Sequence, residues 1–152
     1  MMYLGIDPGA NGCIAMIGEH GEQHEHLKLK DATETEIAKF VRDCRDEAGT
    51  LYQIVAAIEF VRSTPQMGVV SAFTFGRSYG FLRGLLAANG IKREDVTPQK
   101  WQAELGCRSK GDKNVTKAKA QELWPNEKIT HANADAMLIA EYARRMVTQG
   151  KL

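Results

Sequence analysis

Apolar residues recur along this chain with two different periods. Short apolar runs at Tyr3–Ile6, Cys13–Ile17 and roughly His26–Leu29 are separated by glycine-containing turns, the pattern of a three-stranded antiparallel meander. From Thr33 to about Ala48 the spacing becomes helical, with Ile37, Phe40, Val41 and Cys44 on one stripe. "YQIVAAIE", Tyr52 to Glu59, is a near-continuous apolar run of the kind found in strands covered on both faces. A second helix is predicted over Val69–Asn89. A last one lies in "THANADAMLIAEYARRM", where Leu138, Ile139, Tyr142 and Met146 form the apolar stripe. No internal repeat or low-complexity tract interrupts the pattern.

Two of the predicted strands end in a carboxylate. The first closes on Asp7 and turns at once through Pro8, Gly9 and Gly12, and the other closes on Glu59. Asp-Pro-Gly is ordinary turn chemistry and by itself accounts for the turn. A helix lies between the two strands, however, so they can be parallel neighbours joined by a crossover. Neighbouring strands are about 4.7–4.9 Å apart, which would bring acids at matching ends into one site. Running the C-terminal apolar stripe backwards by three or four residues reaches Asp135 and then His131. An acid in a first helical turn also offsets the macrodipole, with Thr130 or Asn133 as cap, and a histidine at a helix end can face solvent.

Asp7, Glu59, Asp135 and His131 therefore form a candidate constellation. Crowded carboxylates repel one another unless protons or a cation compensate. Mostly hard oxygen donors suit Mg²⁺, or Mn²⁺ in its place, better than Zn²⁺. Two such ions about 3.5–4 Å apart are suited to phosphodiester cleavage, activating a water and stabilising the leaving oxygen.

Composition narrows the classes that remain. At 152 residues the chain fits one domain, 1–152. Its net charge of +1 hides an asymmetry: residues 1–59 carry 5 Lys and Arg against 11 Asp and Glu, net −6, and residues 60–152 carry 15 against 8, net +7. The basic part includes Lys92, Arg93, Lys100, Arg108, Lys110, Lys113, Lys117 and Lys119. Such a surface could meet a polyanion, although a solvated helix face has the same composition. Three widely spaced cysteines suggest neither disulfides nor a thiolate metal site, so a reducing, cytoplasmic setting is expected. No apolar run is long enough to span a bilayer and the N-terminus carries no signal pattern, so no membrane association is expected.

Taken together, "GIDPGANG", "AIEFV", "FTFGRSYG", "TPQKW" and "HANADAMLIAEYARR" resemble the RuvC-type Holliday junction resolvases, particularly their phage-like branch, within the ribonuclease H-like superfamily. The resemblance spans most of the chain. It implies an α/β ribonuclease H-like fold, with a five-stranded mixed sheet (meander plus parallel strands) flanked by helices. It also implies a homodimer, and Mg²⁺-dependent cutting of branched DNA such as a four-way junction; a phage-encoded member would act in the host cytoplasm. The family's strand-end aspartate falls on Asp7, its strand-end glutamate on Glu59 and its final helical aspartate on Asp135. Some members carry another aspartate three residues before the last, where this chain has Ala132; the candidate here is His131.

Candidate DNA-binding cations are Arg62, Arg77, Lys100, Arg108, Lys110, Lys113, Lys117 and Lys119, and Phe60, directly after Glu59, is a candidate for base stacking. "RSKGDKNVTKAK" reads as a loop leading into a helix. Phe73, Phe75, Trp101 and Trp124 are expected in the core. Ala72, Gly76, Gly80, Gly84 and Ala88 make a small-residue ridge at spacing four, which suggests close passage of another backbone from the same subunit or from a dimer partner. Actin-like kinases share the opening strand and turn but need two such domains. A nuclease for RNA–DNA hybrids and a non-catalytic DNA-binding module remain as alternatives.

Overall fold

The computed structural model describes residues 1–49 and 53–152. Among these the elements run β1 (Met2–Asp7), β2 (Cys13–Ile17), β3 (Gln23–Lys28), α1 (Glu34–Glu47), β4 (Ile54–Glu59), α2 (Val69–Ala88), β5 (Lys92–Val96), α3 (Pro98–Glu104), α4 (Lys113–Leu123) and α5 (His131–Thr148). The strands form one sheet in the order β3-β2-β1-β4-β5. β1, β2 and β3 pair antiparallel as the expected meander, and β4 joins β1, and β5 joins β4, in parallel. The third strand begins earlier than its apolar run suggested, at Gln23, and its register against β2 shifts between Met16 and Ile17. The Tyr52 start expected for the fourth strand lies outside the described residues.

Helix boundaries follow from local chemistry. Thr33 caps α1, accepting from the Glu36 N–H while the Glu36 carboxylate accepts from the Thr33 N–H, a reciprocal capping box. Thr97 caps α3 with Pro98 in its first turn, and Asp112 caps α4. At α5 the cap is Thr130, and Asn133 returns the bond as the other half of the box.

Strand alternation divides the interior in two. Tyr3, Cys13, Ala15, Ile17, Val55, Ala57 and Val96 face α3, α4 and α5, whereas Leu4, Ile6, Ile14, Met16, Ile54, Ala56 and Ile58 face α1 and α2. α5 is the central helix of the first layer, buried almost all round between Asn133 and Ala143. It lies directly on β1 because Gly5 has no side chain: a Cβ there would stand 1.9 Å from the Ala136 carbonyl oxygen and 2.2 Å from the Ala140 nitrogen. The three cysteines are buried and unpaired, and no helix among the described residues is long and apolar enough to cross a membrane.

One expectation about α2 is corrected and another is narrowed. Its buried residues are Tyr79, Leu82 and Leu86, and Phe73, nine residues before Leu82, falls half a turn round the helix from it. Phe73 is therefore not core but 72% exposed, beside Val69 at 86% and Val70 at 80%. Phe75 is half-buried, whereas Trp101 and Trp124 are core as expected. The small-residue ridge faces outward: a Cβ at Gly76, Gly80 or Gly84 would meet nothing within 4 Å, so no backbone of the same subunit passes there among the described residues.

Candidate active site

The parallel register of β1 and β4 pairs Ile6 with Ile58, so one step further Asp7 is level with Glu59. Both residues have the parity of the α5-facing set, alternating with Ile6 and Ile58, which face the other layer. The chain leaves β1 through a turn in which the Gly9 N–H donates to Asp7 Oδ1 at 3.1 Å and the Gly12 N–H donates to the Gly9 carbonyl at 2.8 Å. Gly12 is required there, since a Cβ would lie 2.0 Å from the Asp7 carbonyl oxygen. The close seat of α5 on Gly5 brings Asp135, the neighbour of Ala136, to the same end of the sheet. Three carboxylates from a strand end, a second strand end and a helix thus share one electrostatic neighbourhood.

The charges act on one another. Burial raises the Asp7 carboxyl above its ordinary value; the Gly9 N–H opposes the rise, Asp135 adds to it, and Lys113 pulls the other way. Glu59 is pushed up to about 7, chiefly by burial and further by Asp7 and Asp135, against a hydrogen bond from Trp101 and the charge of Lys113. Trp101 Nε1 donates to Glu59 Oε2 at 2.8 Å. Asp135 Oδ1 is buried and, among the described residues, no donor reaches it. A buried carboxylate oxygen with no partner among the described residues, beside two acids whose carboxyls are both raised by burial, is a donor set that a hard divalent cation would satisfy. Among the described residues no three His, Cys, Asp or Glu side chains stand close enough together to form a ready metal cluster, so the three acids share a neighbourhood without meeting at a point.

Glu59 and Asp135 open onto a cleft of about 560 Å³ whose other wall is basic, with Arg108, Lys110 and Lys113 from the segment leading into α4. An acidic floor beneath a cationic rim is the arrangement expected of a site that takes a phosphodiester. The remaining predicted cations lie elsewhere. Lys100 does not line the cleft: it pairs with the Glu94 carboxylate, to which Tyr142 also donates, and stands 5.8 Å from the centre of the Tyr142 ring. Lys119 pairs with Glu122 at 2.8 Å, and Lys117 is half-buried on α4. Arg62 is exposed between β4 and α2, and Arg77 is exposed beside a second groove that includes Pro8 and Gly9.

Phe60 is 40% exposed and meets Tyr79 edge-on, ring centroids 6.4 Å apart. His131 opens α5 one turn before Asp135, exposed, and among the described residues it makes no hydrogen bond or ion pair with the three acids. The structure thus groups Asp7, Glu59 and Asp135 and leaves His131 at the margin. Trp101 is the site residue that sequence reasoning placed only in the core. The available signal was its indole N–H, which a fully buried tryptophan must satisfy. Gln102, also lining the cleft, holds the loop by accepting from the Ser109 N–H at 3.1 Å.

A five-stranded mixed sheet with helices on both faces is the α/β fold of the ribonuclease H-like class. Comparison of the sequence with protein-family models and with curated proteins finds no match. Solved structures do match. The chain is similar to Thermus thermophilus RuvC with a TM-score of 0.71 and 17% identity, covering 99% of this chain and 98% of that one. It is similar also to T. thermophilus RuvC in complex with Holliday junction substrate, with a TM-score of 0.69 and 17% identity over 99% and 98%. At this identity what is shared is the fold, and the fold is the one the sequence motifs implied.

Proposed function

We propose that this protein is a RuvC-type Holliday junction resolvase, a metal-dependent endonuclease that cuts four-way and related branched DNA by paired phosphodiester cleavage. The observation that carries the reading is that Asp7 and Glu59 lie at level strand ends beside Asp135, whose buried Oδ1 has no partner among the described residues. It is supported by the fold shared with a protein whose structure is known in complex with Holliday junction substrate.

Asp7, Glu59 and Asp135 would hold Mg²⁺, two ions per site, with Mn²⁺ able to substitute and His131 as a further candidate ligand or proton-transfer group if its ring turns inward. A divalent cation held there would supply the positive charge needed to activate a water and to stabilise the leaving oxygen. The chain's own residues do the rest. Arg108, Lys110 and Lys113 draw the phosphate backbone to the cleft by charge, which fixes position without reading sequence. Lys113 also eases the repulsion between Asp7 and Glu59. Gly9 fixes one oxygen of Asp7.

A four-way junction needs cuts on two strands, and two copies of this site related by a two-fold axis would provide them. The outward ridge of Gly76, Gly80 and Gly84 is the surface on which we place the partner. The test offers end-labelled four-way junction, linear duplex and RNA–DNA hybrid side by side in Mg²⁺. Symmetric cuts in the junction alone, or in the junction ahead of other forms, are expected. Preferential cutting of the hybrid would assign the same site to a ribonuclease instead, and binding with no cutting of any substrate would make the protein a DNA-binding module.

A further inference from the structure

The tryptophan behind Glu59 is built into the molecule more firmly than a space-filling residue requires. Trp101 is fully buried, and its one polar atom, Nε1, donates to Glu59 Oε2 at 2.8 Å. The helix that carries it, α3, has only seven residues, too few to persist on its own. It is held from both sides. Thr97 accepts from the Lys100 N–H at 3.3 Å, and the Lys100 ammonium, next in the chain to Trp101, pairs with Glu94 of β5 and lies over the Tyr142 ring of α5. Tyr142 in turn donates its hydroxyl to Glu94 at 3.0 Å. The clamp from β5 to α5 therefore sets where the indole points.

A glutamate has a soft terminal torsion, and a free carboxylate can offer either oxygen or both. In Glu59 one oxygen is taken by the indole, and among the described residues no donor reaches the other, Oε1, while the side chain opens on the cleft. We propose that Trp101 is a positioning residue of the active site: by holding Oε2 it fixes the rotation of Glu59, so that Oε1 alone is presented to a divalent cation shared with Asp7 and Asp135. This rests on reading the three acids as a metal site. It goes beyond that reading in making metal affinity depend on a residue that touches neither metal nor DNA. Removing such an outer hydrogen bond typically weakens metal binding or activity by about 10- to 100-fold.

The experiment uses the full chain labelled with ¹⁵N. With two tryptophans there are two indole N–H signals, identified through Trp101→Phe and Trp124→Phe. Trp124 donates to the Gly21 backbone carbonyl at 2.6 Å, far from the acids in the bonding pattern, and serves as internal reference. Titration with Mg²⁺ should move the Trp101 signal saturably and leave the Trp124 signal in place. Glu59→Ala should displace the Trp101 signal and abolish its response to Mg²⁺. Trp101→Phe, which keeps most of the ring volume, should bind Mg²⁺ by calorimetry about 10- to 100-fold more weakly. Its single-turnover cleavage should need correspondingly more Mg²⁺ while approaching the wild-type maximal rate. A Trp101 signal indifferent to saturating Mg²⁺, or Trp101→Phe protein with wild-type Mg²⁺ affinity, overturns the proposal. Should Trp101→Phe not fold, the wild-type titration and Glu59→Ala still decide it. A wild type whose Trp101 signal follows Mg²⁺ but which cuts no branched DNA would refute the nuclease reading and leave the positioning role standing.

Discussion

Replacing Glu59 by glutamine should make the metal-free protein more stable, and only at neutral and alkaline pH. Burial and the charges of Asp7 and Asp135 move the Glu59 carboxyl from an ordinary 4.5 to about 7. Below pH 4.5 the folded and unfolded chains both carry the proton, so the group imposes no cost. Between 4.5 and about 7 the unfolded chain releases its proton first, and stability falls as pH rises; above about 7 the full cost is present. Each tenfold difference in proton affinity is worth ~1.4 kcal/mol, so the displacement sets a ceiling of about 3 kcal/mol. Glutamine keeps the length of the side chain and a carbonyl oxygen for the Trp101 indole but carries no charge. It also removes one of the repulsions acting on its neighbours. Urea denaturation in chelator across pH 4–8 should show wild type and Glu59→Gln coinciding at the acid end. At the alkaline end the variant should be ahead by about 2–3 kcal/mol, or roughly 5–10 °C in melting temperature for a chain of this size. Adding Mg²⁺ at pH 8 should raise the wild type and leave the variant unmoved. A difference that stays constant with pH, or a wild type that gains on the variant as pH rises without metal, would refute the electrostatic reasoning.

Other consequences follow from the packing and the surface. Gly5→Ala places a methyl carbon 1.9 Å from the Ala136 carbonyl oxygen, and α5 must lift off β1, so a loss above about 3 kcal/mol is expected, seen as failure to yield folded protein by circular dichroism; a cooperative melt near that of the wild type would contradict it. Gly80→Leu points into open space in one subunit and should not destabilise the fold, gaining up to about 1 kcal/mol of helix propensity; with the proposed two-fold partner seated on this ridge it should shift sedimentation towards monomer, and a wild type already monomeric, or a variant as dimeric as the wild type, would contradict that placement. Lys113→Ala should weaken junction binding and reduce the slope of log affinity against log salt by about 0.9 if its ammonium neutralises one phosphate; an unchanged slope in electrophoretic mobility assays would remove it from the DNA path.

The acids at the strand ends were legible in the sequence because strand periodicity and a single crossover helix dictate where Asp7 and Glu59 must meet, and the observed register agrees. α1 was legible nearly to the residue because its capping box is local. β5 was not. Lys92, Arg93, Glu94 and Asp95 read as surface charge, yet they form an edge strand whose acids are paired by side chains of other elements as well as its own, Arg83 of α2 reaching Asp95 at 3.2 Å beside Arg93, and Tyr142 of α5 and Lys100 of α3 reaching Glu94. Lys100 left the set of free cations by pairing with Glu94, only six residues before it, once the turn from β5 into α3 brings the two together. Trp101 looked like core, and is core, but its partner lies 42 residues earlier and no local pattern announces a hydrogen bond of that span. Phe73 was misplaced because hydrophobicity alone does not give the phase of α2, whose apolar residues surround it on more than one side.

The central claim, that Asp7, Glu59 and Asp135 act together as the cutting centre of a junction resolvase, is tested most directly by separating cleavage from binding. Single-turnover cleavage and gel-shift affinity for one end-labelled four-way junction in Mg²⁺ would be measured for the wild type and for Asp7→Asn, Glu59→Gln and Asp135→Asn. The prediction is that the wild type makes paired, symmetric nicks and each variant loses cleavage by several orders of magnitude while binding the junction as well as the wild type does. Cleavage by Asp7→Asn at near the wild-type rate would contradict the account, since no rearrangement of the remaining acids could then place the reaction at the ends of β1 and β4.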